Sequence, residues 1–291
     1  MSQLHQNIEN MPFGQRFSDM RQKRGALCVG IDPHPELLEA WGLSLNGAGV
    51  WDFSMRVLDA LGDSCGFFKP QSALYEVYGS SGISALTATL HAINDCGAIA
   101  INDVKRGDIG STMQAYARSY LGDGPLESDA VTLHPYLGFE SLRPAIDLAA
   151  TNGKGVFVLA MTSNPEAASL QDAKVTPDKT VAETIIAKAG AENGSAAANG
   201  YLGHVGLVIG ATVGQRGCNL APALLSANAP ILVPGFGAQG ATAEDIKSLF
   251  GDVLDRIVVS SSRGILRAGP QPSKLQREFG KYLDLLKTFI L

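Results

Sequence analysis

AIAINDVKRGDIGST, residues 98–112, opens as an apolar β-run and closes on three charges, Asp103, Lys105 and Asp108. A strand alternates its faces, so Asp103 and Lys105 point the same way, and inward a charge must be paired. Asp108 lies just past the strand. Seven further runs share the β-rich, apolar character: 27–32, 66–70, 130–135, 155–163, 204–211, 230–237 and 256–262. They start mostly about 25–40 residues apart, room for a crossover helix each time. WDFSMRVLDALG, GISALTATLHAINDCG and TAEDIKSLFG carry the amphipathic pattern of such helices. Continuous apolar strands alternating with helices predict a parallel sheet, and eight units predict an α/β fold, a (β/α)8 TIM barrel, as one domain over 1–291. A doubly wound open sheet is the competing architecture. It places its phosphate motif after the first strand, where this chain reads GIDPHPEL, without GxGxxG.

The chain has 291 residues, 45% hydrophobic and 18% charged, with a net charge of −5. That balance argues against nucleic acid or an anionic membrane as the main partner. MSQLHQNIENMPFGQRF has no apolar core of a signal peptide, and no run approaches the roughly 20 residues of a membrane span. A cytoplasmic location is expected. Cys28, Cys65, Cys96 and Cys218 show no CxxC and read as small hydrophobes in a reducing compartment. No two of the five histidines stand at metal-ligand spacing, so no metal site is expected. Residues 1–24 read as a helix closing the barrel bottom, and 272–291 as the last helix. The polar stretch 164–180 reads as an irregular, mobile loop over a site, followed by a helix from Thr180. Tyr136 reads as a packed loop aromatic; the role of Asn164 stays open, with capping of the turn after it as the plain reading.

Barrels of this class place active sites at the C-terminal strand ends. There this chain carries Asp32, Lys69, Asp103, Lys105 with Asp108, Thr162-Ser163-Asn164, PGFGAQG at 234–240, and Ser260-Ser261-Ser262-Arg263. A fold needs no such collection; a catalytic mouth does. PGFGAQG has the glycines, Gly235, Gly237 and Gly240, to bring backbone N–H groups against an anion, with Gln239 adding an amide. The following helix brings its positive end nearby, and Arg263 offers a fork for a phosphate dianion.

Those residues resemble a known family. DVKRGDIGST is similar to the D-x-K-x-x-D-I-x-x-T signature of the orotidine 5′-phosphate decarboxylases. LCVGIDP, FFKPQSALYE, MTSNP, VPGFGAQG and SSSRGI fall on strands 1, 2, 5, 7 and 8 as they do in that family, in its longer bacterial branch. Strand 8 departs locally, reading SSSRG without a Gly-Arg-Ser pattern. The resemblance implies cofactor-free decarboxylation of orotidine 5′-phosphate to uridine 5′-phosphate, the last step of pyrimidine synthesis. It implies that Lys105 protonates C6 and that Asp103 lies beside the substrate carboxylate. It implies a homodimer in which Asp108 and Thr112 cross to the partner's site. It assigns Asp32 and Lys69 to the ribose, Ser163 to the pyrimidine edge, and Gly237, Gln239 and Arg263 to the phosphate. Two alternatives stand beside it: a Mg2+-dependent sugar-phosphate decarboxylase or aldolase of the same superfamily, and a non-catalytic phosphoribosyl-ligand binding protein.

Overall fold

The computed structural model describes residues 11–217, 220–236 and 242–290. Eight parallel strands close into a barrel: β1 (Leu27–Ile31), β2 (Phe67–Pro70), β3 (Ile99–Arg106), β4 (Ala130–Leu133), β5 (Gly155–Met161), β8 (Val205–Ile209), β9 (Ile231–Pro234) and β10 (Ile257–Ser261). The order around the barrel follows the chain, and β1 pairs with both β2 and β10, which excludes the open sheet. β6 (Lys174–Thr176) and β7 (Lys179–Thr180) form a separate antiparallel hairpin. The stretch expected to be irregular is therefore folded: a 3-10 turn at Pro165–Ala167, a short helix at Ala168–Gln171, then this hairpin.

Inward columns explain how the barrel changes character along its axis. Side chains two residues apart on a strand share a face. Cys28, Phe67, Ile99, Ile101, Ala130, Phe157, Val208, Leu232 and Val258 form one buried apolar cluster inside the barrel. Two residues further along the same columns stand Lys69, Asp103, Thr132 and Ser260. The remaining core residues form a second cluster between strands and helices.

The helix Phe13–Arg24 closes the bottom. Phe17 packs 5.1 Å from Phe67, and Phe13 meets Phe157 edge-on at 6.0 Å. Gly155 is required here, because a Cβ would occupy the space of the Phe13 ring. Arg16, Arg21 and Arg24 of this helix donate to carbonyls at the barrel bottom, among them Gly153, Ile257 and Cys65. Phe17→Ala is expected to destabilise the fold by about 3–5 kcal/mol, read by urea unfolding. A loss under about 1 kcal/mol would contradict the plug. The helix after the hairpin, Val181–Glu192, starts in a capping box between Thr180 and Glu183, and Pro272–Ile290 is the last helix. Among the described residues no helix is long and apolar enough to cross a membrane.

Candidate active site at the barrel mouth

Lys69, Asp103 and Lys105 form a continuous charged chain at the C-terminal mouth. Lys69 Nζ donates to Asp103 Oδ2 at 2.8 Å, and Lys105 Nζ donates to Asp103 Oδ1 at 2.6 Å. Thr132 Oγ1 adds a third bond to Asp103 Oδ1 at 2.7 Å. Lys69 and Asp103 are buried, whereas the Lys105 side chain is 45% exposed and opens onto the mouth. Burial pushes the Asp103 carboxyl up, but Lys69 and then Lys105 outweigh it and hold the group well below the usual carboxylate range. Burial pushes the Lys69 ammonium down, and Asp103 and Asp32 outweigh that in turn, leaving it above the ordinary lysine range. Both shifts favour the ionised forms.

The sign of the pH dependence follows. Asp103 titrates lower folded than unfolded, so its contribution is present above about pH 4 and fades as pH falls towards its folded value. Lys69 titrates higher folded, so its contribution persists until pH rises past about 10. Asp103→Asn is expected to destabilise the protein by about 3–5 kcal/mol at pH 7, because it strands a buried ammonium. Urea unfolding between pH 7 and 3 should show that gap narrowing below pH 4; a constant gap would contradict a buried, ionised Asp103.

The backbone that carries Lys105 is unusual. Lys105 has φ +43°, the left-handed region, which costs a non-glycine residue roughly 1–2 kcal/mol. The β3–β4 ladder shifts register between Asn102 and Arg106, so Lys105 sits on a bulge. Gly107 follows, and a Cβ there would collide with the His134 main-chain oxygen.

The other expected residues fall as follows. Asp32 ends the β1 column beside Lys69, and its Oδ1 is buried without a partner. Ser163 is exposed against Gly210 at the end of β8. Arg263 begins the short helix Arg263–Leu266, is exposed, and its side chain makes no hydrogen bond or ion pair with any described residue. Gly235 has φ +104°, whereas Gly237 and Gln239 lie outside the described residues. The helix Ala243–Phe250 is closed by a capping box between Thr242 and Asp245, which places a carboxylate at its positive end. Asp108 does not join the charged chain: its Oδ1 accepts from the Ile109 N–H at 2.7 Å. Thr112 is exposed on the helix Gly110–Leu121. Tyr136 is 73% exposed and not packed, and Asn164 bonds Thr162 and Glu166 with its side chain rather than capping the turn. Cys28 and Cys65 are buried free thiols, and Cys218 lies outside the described residues.

Three supports escaped sequence reasoning. Thr132 had a signal, a hydroxyl on the inward parity of an apolar strand. Glu76 accepts from both Arg106 and Ser72, tying the end of β3 to the helix Ser72–Glu76 after β2. Arg216 grips Asp172 through two bonds and donates to the Thr162 carbonyl, pinning the segment after β5.

A closed (β/α)8 barrel with a hydrogen-bonded Lys-Asp-Lys chain at its mouth has the build of a barrel enzyme. The family described as orotidine 5′-phosphate decarboxylase / HUMPS matches residues 25–278. The orotidine 5′-phosphate decarboxylase of Streptomyces coelicolor is 45% identical over 280 residues, covering 96% of this chain and 98% of that one. That of Salinispora tropica is 48% identical over 259 residues, covering 89% and 91%. A crystal structure from Streptomyces avermitilis superposes with a TM-score of 0.90 at 46% identity, covering 96% of both chains. The chain belongs to the orotidine 5′-phosphate decarboxylase / HUMPS family.

Proposed function

We propose that this enzyme converts orotidine 5′-phosphate to uridine 5′-phosphate and CO2, with Lys105 as the proton donor. The observation that carries this reading is the ionised Asp103 gripped by Lys69 and Lys105 at the mouth. The reaction leaves an electron pair on C6 when the bond to the carboxylate carbon breaks. CO2 departs, a Lys105 proton moves to C6, and water restores the ammonium. The demand is for a fixed cation beside C6. An ammonium about 4 Å from the developing anion is worth roughly 4 kcal/mol at an effective dielectric near 20. It accelerates the step because charge concentrates towards it as the bond breaks. In this reading no metal or cofactor takes part.

Asp103 lies against the substrate carboxylate, a like-charge contact relieved as CO2 leaves. Asp32 and Lys69 hold the ribose, and Ser163 meets the pyrimidine edge. Gly237, Gln239 and Arg263 bind the phosphate, whose remote binding energy offsets the cost of positioning the ring.

Asp108 and Thr112 serve the site of a second copy in a homodimer. Ile109 is 62% exposed beside Asp108, and Tyr136 and Leu137 are 73% and 50% exposed in the neighbouring loop, an apolar edge suited to self-association. Mixing Asp108→Asn and Lys105→Ala subunits is expected to restore about a quarter of wild-type activity from two inactive parents, since random pairing leaves one site in four whole. No recovery on mixing would contradict the shared site.

The direct test of the reaction is spectrophotometric loss of orotidine 5′-phosphate with EDTA present. Turnover unchanged by EDTA is expected. A folded protein that leaves the substrate intact, or one that needs Mg2+ restored, would overturn the reading.

A further inference from the structure

We infer that Thr132 is the positioning residue of this site, one hydroxyl that fixes both the backbone of Lys105 and the carboxylate of Asp103. For its effect on turnover this rests on the decarboxylase reading; for its effect on Lys105 it rests on geometry alone.

The reason lies in the register of β3 against β4. Asn102 pairs with Val131 and Arg106 with Leu133, so β3 takes four steps where β4 takes two. The surplus residues lose their ladder partners, and a main-chain N–H left without one carries a desolvation penalty. Thr132 replaces the missing partner. Its Oγ1 accepts from the Lys105 N–H at 3.0 Å. The same oxygen donates to Asp103 Oδ1 at 2.7 Å. A hydroxyl has one proton and two lone pairs, and an ionised carboxylate only accepts. The proton therefore faces Asp103, and a lone pair faces Lys105. Thr132 is 1% exposed, so bulk water does not replace either bond.

Lys105 holds φ +43° on this bulge. Strained backbone persists where its surroundings over-determine it. The determinants here are the Thr132 bond to the Lys105 N–H and the Lys105–Asp103 contact, and Thr132 touches both partners. Without the hydroxyl the main chain is free to relax towards the extended region, which turns the Lys105 ammonium away from Asp103. Thr132 touches no reacting atom in this scheme. Its effect passes through Lys105, so it should appear in kcat and not in ligand affinity.

The test compares Thr132→Val, which keeps the shape and loses the hydroxyl, with Thr132→Ser, which keeps the hydroxyl. Thr132→Val is expected to lower kcat about 30-fold or more, with KM and the Kd for uridine 5′-phosphate within about threefold. Thr132→Ser should stay within about threefold of wild type. A crystal structure of Thr132→Val, or of Thr132→Ala if the valine variant does not fold, should show Lys105 out of the left-handed region or parted from Asp103. Full kcat in Thr132→Val, an equal loss in Thr132→Ser, or an unmoved Lys105 would each overturn the inference. If wild type fails to decarboxylate, the proposed reaction falls, and the position of Lys105 in the variant structure still decides this point.

Discussion

Lys105→Ala is expected to lower kcat by about five orders of magnitude while uridine 5′-phosphate still binds within about tenfold. Two losses combine. Removing the fixed cation forfeits roughly 4 kcal/mol of carbanion stabilisation, about a thousandfold. Removing the proposed proton donor forfeits a further factor of about a hundred or more. The variant should fold, because Asp103 keeps Lys69 and Thr132 as partners and the Lys105 side chain is 45% exposed. Single-turnover decay of orotidine 5′-phosphate, with calorimetric titration of the product, measures both. A loss under about a hundredfold would remove Lys105 from the centre of the chemistry. Loss of product binding alongside activity would point to a collapsed mouth instead.

The second large effect belongs to Arg263. Its guanidinium is exposed and has no partner among the described residues, a free fork at the strand end where this fold class binds phosphate. Hydrogen bonds to charged groups contribute about 1.5–3 kcal/mol each, so losing a bidentate pair should lower kcat/KM by about a hundred- to ten-thousandfold. The control is the nucleoside orotidine, which lacks the phosphate. Wild type and Arg263→Ala should turn it over equally slowly. If Arg263→Ala also slows the nucleoside, the side chain acts on the ring or the fold rather than on the phosphate. Stability should be unchanged, because Arg263 pairs with no described residue.

The barrel was legible because its strands are short, apolar and regularly spaced, and because parity sorts the side chains without tertiary help. Phe67 and Lys69, or Ile101 and Asp103, reveal one inward column passing from core to mouth. The same parity sets Lys69 and Asp103 on the inward side, whereas Lys105 reaches Asp103 from the bulge. What stayed hidden depends on contacts between distant segments. The hairpin β6–β7 follows a polar stretch with no periodicity, and the segment before it is pinned through the Arg216–Asp172 pair, which no local pattern announces. Thr132 acquires its role from a bulge that leaves no signature in composition. Asp108 looked like a third member of the charged chain, yet its carboxylate turns to the Ile109 N–H. Sequence spacing on a loop does not fix direction as it does on a strand. Tyr136 was expected to be packed and is exposed, at an edge that the proposed homodimer would cover.

A crystal structure with uridine 5′-phosphate bound tests the central claim most directly. The expected result is the phosphate on Arg263, and C6 of the ring within about 4 Å of Lys105 Nζ, with Lys105 still on Asp103. A pyrimidine ring seated with C6 turned away from Lys105, or a phosphate held elsewhere, would contradict it.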